Sequence, residues 1–177
     1  MSRDIFKRES ARTARRLALV LSVGVALAAS TVAFGQERLT PQTAPEGWVV
    51  IETQTGFEAL SERLDEAVRA NEMGLVTRAS ASDGARAQGI EIPGNRVVGV
   101  FRNDFARRML AASVPAGIEA PIRFYLTENP DGTATLSYAP PSLVFAPYLG
   151  AAAPDLQRVA EELDAIFREI AEDATAS

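Results

Sequence analysis

Residues 121–127 (PIRFYLT) and 133–138 (TATLSY) alternate in polarity with a period of two, and Asn129-Pro130-Asp131-Gly132 between them carries turn chemistry. That spacing predicts a β-hairpin with two unlike faces. Ile122, Phe124 and Leu126 share one side, and Arg123, Tyr125 and Thr127 share the other. A lone hairpin with an apolar side is not stable in water, so the rest of the chain must supply further strands and a cover for that side.

The remaining patterns supply both. Residues 48–53 (WVVIET) are rich in β-branched types and read as a strand. Phe57, Leu60, Leu64 and Val68 then recur at helical spacing. Thr55 and Glu58 fit a capping box, Asp65 and Arg69 an i,i+4 pair, and Gly74 a stop. Residues 75–80 and 96–101 (RVVGVF) read as further strands, with a loop over 82–94 between them. Asn103 and Asp104 introduce a short helix with Phe105, Met109 and Ala112 on one side. Pro154 opens a last helix whose stripe is Leu156, Val159, Leu163, Ile166 and Ile170. The order β-α-β-β-α-β-β-α implies an α+β two-layer sandwich, a mainly antiparallel sheet with helices on one face.

The N-terminal segment differs from everything after it. Residues 1–35 hold six basic residues and two acidic ones, and 17–35 (LALVLSVGVALAASTVAFG) carry no charge. A basic start, an apolar run and small residues at its end are the features of a secretory signal peptide, with Ala33-Phe34-Gly35 placing a cut before Gln36. An uncleaved anchor is the alternative, since nineteen uncharged residues can just cross a bilayer of about 30 Å. Arg15-Arg16 resembles a twin-arginine signal in part, which leaves the export route open. Residues 36–47, with Pro41 and Pro45, read as a polar linker, and 48–177 as one domain. The expected location is periplasmic or secreted, with no stable membrane span after cleavage.

Composition excludes much of the common chemistry. The 177 residues contain no Cys and no His, which removes thiolate nucleophiles, disulfides, zinc and haem sites built on those ligands, and the Ser-His-Asp triad. Beyond residue 35 there are 12 basic against 21 acidic residues and no lysine, a balance that repels a phosphate backbone. Nucleic acid is therefore not an expected partner. Carboxylates occur on helices beside apolar stripes, without the spacing of an EF-hand or a comparable metal site. No P-loop or dinucleotide-binding glycine pattern is present. The sequence calls for no cofactor and no metal.

In order along the chain, Met73-Gly74-Leu75-Val76 after the first helix, 97–103, Pro121-Ile122-Arg123-Phe124 before the hairpin, and Tyr138-Ala139-Pro140-Pro141-Ser142-Leu143 resemble the domain of unknown function 302 family. The resemblance runs from about 55 to 143. It implies a compact α+β fold able to form homodimers, and it implies no activity, because the family's role is unassigned. Relatives often carry Gly-Asn-Pro where this chain has Arg102-Asn103-Asp104, so Asn103 alone carries over.

Four residues stand out as ligand-binding candidates: Asn103, Arg123, Tyr125 and Tyr138. Asn103 sits where a strand gives way to a helix, either as part of an anion site beside Arg102 or as a plain N-cap. Arg123 and Tyr125, with Thr133, Thr135 and Ser137 on the partner strand, can hold a carboxylate or phosphate, form a dimer interface, or face water. Residues 139–153 are apolar at Leu143, Val144, Phe145, Tyr148 and Leu149, and serve as a cover for the core or as an exposed patch. The expectation is an exported, non-catalytic module of the cell envelope, homodimeric, that binds a small ligand or an envelope protein. The alternative is an enzyme using Arg123, Tyr125 or Tyr138 with a carboxylate; catalytic residues are not identifiable.

Overall fold

A computed structural model describes residues 38–149 and 154–176. Residues 1–37, on which the expected signal peptide falls, and the 150–153 stretch lie outside the described residues. Strand β1 (Val49–Gly56) leads into helix α1 (Phe57–Ala70), followed by β2 (Gly74–Ala79), α2 (Ala81–Arg86), β3 (Asn95–Phe101) and α3 (Asn103–Ala112). A 3₁₀ turn at Pro115–Glu119 precedes the hairpin β4 (Ile122–Glu128) and β5 (Thr133–Tyr138). Helix α4 (Pro141–Phe145), a second 3₁₀ turn (Ala146–Tyr148) and α5 (Pro154–Thr175) complete the chain.

The five strands form one antiparallel sheet in the order β1-β5-β4-β3-β2. The chain is an α+β fold, with helices packed on one side of that sheet. Alternation along β4 decides the layers: Phe124 and Leu126 are fully buried under the helices, and Arg123 is exposed on the other side. Phe124 stacks on Phe167 of α5 at 4.5 Å between ring centroids, and Tyr138 meets both rings at 5.1 and 5.6 Å. Leu60, Leu64 and Val68 of α1 and Leu156, Val159 and Ile170 of α5 complete this core. The α5 stripe is centred differently from its expected position. Phe167 is fully buried, whereas Ile166 only packs against the core's margin.

The hairpin turn forms as expected. Gly132 adopts φ +80°, and Asn129 N–H donates to Thr133 O at 2.7 Å. Asp131 Oδ1 accepts from Thr133 N and from Thr133 Oγ1, at 3.1 and 2.6 Å.

Several local expectations are corrected. Pairing with β5 carries β1 as far as Gly56, which caps α1 without any side-chain bond, so no Thr55 capping box forms. Glu58 instead meets Arg96, a charge-assisted contact stronger than a reach back to the chain. Asp65 pairs with Arg78 of β2, not with Arg69. Helix α1 ends before Gly74: Glu72 takes the left-handed conformation at φ +57°, and Met73 N–H bonds Val68 O in a Schellman arrangement. The expected 82–94 loop contains α2, capped by Ser80, whose Oγ accepts from Asp83 N at 3.0 Å. The part of 139–153 that is described forms α4 and a 3₁₀ turn, with Phe145 buried and Leu143 and Leu149 exposed.

Candidate functional site

The side of the sheet turned away from the helices carries a groove of about 660 Å³. It runs obliquely across the strands, because its walls come from opposite ends of neighbouring elements. Trp48, Ala139 and Val144 stand at one end, Ala79, Ser80 and Asn95 at the other, and Arg123, Tyr125 and Val97 lie between. Cross-strand register explains that middle: Tyr125 lies opposite Val97, and Arg123 lies opposite Gly99. Gly99 is needed there, since a Cβ on it would overlap Thr77 Oγ1 and lie 2.8 Å from Pro121 Cγ.

Arg123 is exposed and makes no hydrogen bond or ion pair among the described residues. Glu119, half-buried at the end of the first 3₁₀ turn, also lines the groove. Its Oε1 accepts a hydrogen bond from Tyr148 Oη at 2.6 Å, which pushes the Tyr148 phenol pKa upward. A guanidinium, a carboxylate, an indole and a phenol therefore share one concave surface of the size that holds small ligands.

The four candidate residues separate into three places. Arg123 and Tyr125 come together in the groove. Tyr138 borders its edge, but the ring is only 4% exposed and is committed to the aromatic core, where burial raises its pKa. Asn103 is absent from the groove lining. It is the first helical residue of α3, exposed, and the cap position belongs to Arg102, so the N-cap assignment is corrected. Arg102 is already engaged, pairing with Asp104 at 2.9 Å and lying 4.3 Å over the Phe105 ring. Burial pushes the Asp104 carboxyl up. Arg102 and the backbone N–H groups of Phe105 and Asp104 outweigh that and hold it below its ordinary pKa. The helix's own carboxylate thus occupies the place an external anion would take.

The hydroxyls expected on the open side are spent internally. Thr135 Oγ1 donates to Asn129 Oδ1 at 3.1 Å, and Ser137 Oγ to Tyr125 O at 3.3 Å; both residues are fully buried. Neither they nor Thr133 line the groove. A second cavity, between α3, the sheet and α5, measures about 30 Å³, room for little more than one water. Among the described residues no cluster of three or more Asp, Glu, His or Cys could hold a metal.

The most buried charge among the described residues lies on the helical side. Arg96 of β3 is 7% exposed; it donates to Ser61 Oγ at 2.7 Å, Glu58 at 3.0 Å and Asp83 at 3.2 Å, and lies 5.1 Å from the Phe57 ring centroid. Burial lowers the Arg96 pKa, but the bonds to Glu58 and Asp83 outweigh it and leave it raised. The Arg96 bond in turn draws the Asp83 carboxyl below its ordinary range. One guanidinium thus ties α1 and α2 to the sheet, which is a structural use of the charge.

The family model described as Domain of unknown function DUF302 matches residues 49–174. The chain belongs to the DUF302 family. Among solved structures it resembles the crystal structure of an uncharacterized conserved protein DUF302 from Bacillus stearothermophilus, at 16% identity and a TM-score of 0.64, over 73% of this chain and 99% of that one. At that identity the likeness shows the fold alone. Comparison with curated proteins finds no match. In this DUF302 chain, sequence reasoning missed Trp48, Val97, Asn95, Glu119 and Val144 as groove residues. Trp48 and Val97 read as ordinary strand positions; the register sets Val97 opposite Tyr125, and Trp48 joins them only as a wall of the same groove.

Proposed function

We propose that the protein is an exported, non-catalytic binding module of the cell envelope that takes a small ligand in the groove across its sheet. The observation that carries this reading is Arg123, a cation without a partner among the described residues, which shares with Trp48 and Tyr125 a concavity of about 660 Å³. A guanidinium with no hydrogen bond or ion pair among the described residues is free to form bidentate bonds with a ligand's carboxylate. Export is supported by the basic start of the chain, the uncharged 17–35 run and the small residues before Gln36. No helix among the described residues is long and apolar enough to cross a membrane.

Native mass spectrometry of the protein recovered from its own compartment tests location and ligand together. The expected species begins at Gln36 and carries an excess mass that is lost on denaturation and is missing from the Arg123→Ala variant. A bare wild-type protein, or an Arg123→Ala variant that keeps the same mass, overturns the binding reading. Retention of residues 1–35 on a cytoplasmic protein overturns export.

A second reading, self-association into a homodimer, is supported by a separate patch. Leu110 on α3 and Val114 and Ile118 just after it are 43%, 75% and 79% exposed, apolar surface suited to a second copy of the chain.

A further inference from the structure

Two opposite charges line the groove, and the fold leaves both without a charged partner. Arg123 is unpaired among the described residues, and Glu119 is touched only by the neutral phenol of Tyr148, with no cation within ion-pair distance among those residues. Four residues apart, their backbone positions lie within about 14 Å of each other, the reach of an extended chain. The remaining walls are largely apolar or aromatic: Trp48, Tyr125, Val97 and Val144.

A ligand that fills this groove takes both charges out of water. A plain anion satisfies Arg123 and sets like charge against Glu119; a plain cation does the reverse. A ligand that brings a carboxylate to one and an ammonium to the other compensates both. Net charge points the same way, because a chain with 12 basic and 21 acidic residues beyond position 35 repels an approaching anion but not a net-neutral zwitterion. We infer that the groove takes a short zwitterionic peptide, its free carboxylate on Arg123, its free ammonium on Glu119, and its apolar side chains against Trp48 and Tyr125. This rests on the binding reading above and names the ligand class for the same site.

Trp48 is the only tryptophan in the chain and lines the groove, so its fluorescence reports occupancy directly. The probes are leucyl-phenylalanine, its N-acetyl form and its C-terminal amide, titrated into the purified protein. The free dipeptide should shift Trp48 emission saturably, and blocking either end should weaken binding about tenfold, the scale of one lost charge-assisted bond. Glu119→Gln should abolish the preference for the free ammonium and keep that for the free carboxylate; Arg123→Gln should do the opposite. An acetylated peptide that binds as tightly as the free one, or a Glu119→Gln variant that still discriminates, overturns the inference. If no peptide moves Trp48 while native mass spectra still show an Arg123-dependent bound mass, the peptide assignment fails and the binding reading stands. If that mass is absent as well, both fail.

Discussion

At the scale of single residues, some charges among the described residues have a structural use and others an open position, and the difference is measurable. Asp131 is the clearest structural case. Bonds from Thr133 and from Arg38, which donates to Oδ2 at 2.7 Å, pull its carboxyl pKa down to about 2. An unfolded aspartate titrates near ~3.9, so the contribution of this group to stability is fully present above about pH 4 and is lost as pH falls toward 2. Asp131→Asn should therefore show a smaller loss of stability than wild type between pH 5 and pH 2, measured by denaturant midpoints across that range. An identical acid slope in the two proteins would remove Asp131 from the account. Arg123 is the opposite case, since it makes no hydrogen bond or ion pair among the described residues and its loss should register in binding. Local chemistry made Arg123 and Tyr125 readable as a pair on one strand face, because alternation is a property of the backbone itself. Glu119 was not readable, because nothing in its neighbours along the chain says that it shares a surface with Arg123.

At the scale of elements, α5 and the hairpin meet in an aromatic cluster. Phe167 is fully buried and stacks on Phe124, while Tyr138 closes the third side of the cluster. Truncating Phe167 to Ala leaves a cavity between α5 and the sheet, with an expected cost of about 3–5 kcal/mol. Urea unfolding of the variant checks this, and a loss below ~1 kcal/mol would mean that the cluster relaxes around the gap. The hairpin, α1, α3 and α5 were legible because each has enough residues for its period to show. Helix α2 has only six residues, too few for a periodic signal, and Ser80 is its one local mark. The Thr55 capping box failed for a related reason. Strand pairing across 77 positions of sequence, Gly56 to Thr133, outweighed a local preference worth about 1 kcal/mol.

At the scale of the whole molecule, one side of the sheet carries the helices and the core, the other carries the groove, and the corner after α3 carries the exposed apolar patch. If that corner joins two copies, Ile118→Asp should shift the mass seen by sedimentation toward the single chain while leaving the fold intact, since the side chain is 79% exposed. An unchanged subunit count would place any interface elsewhere. The sequence by itself determined the class of fold, the identity of the long elements, which side of each strand is apolar, and the chemistry excluded by the missing Cys and His. These follow from backbone periodicity and composition, which act over a few residues at a time. Tertiary structure alone decided the strand order, the register that sets Tyr125 opposite Val97, the commitment of Tyr138 to the core, and the meeting of Trp48, Glu119 and Arg123 around one groove. Each of those depends on contacts between segments far apart in the chain, selected by the packing of the whole sheet against its helices.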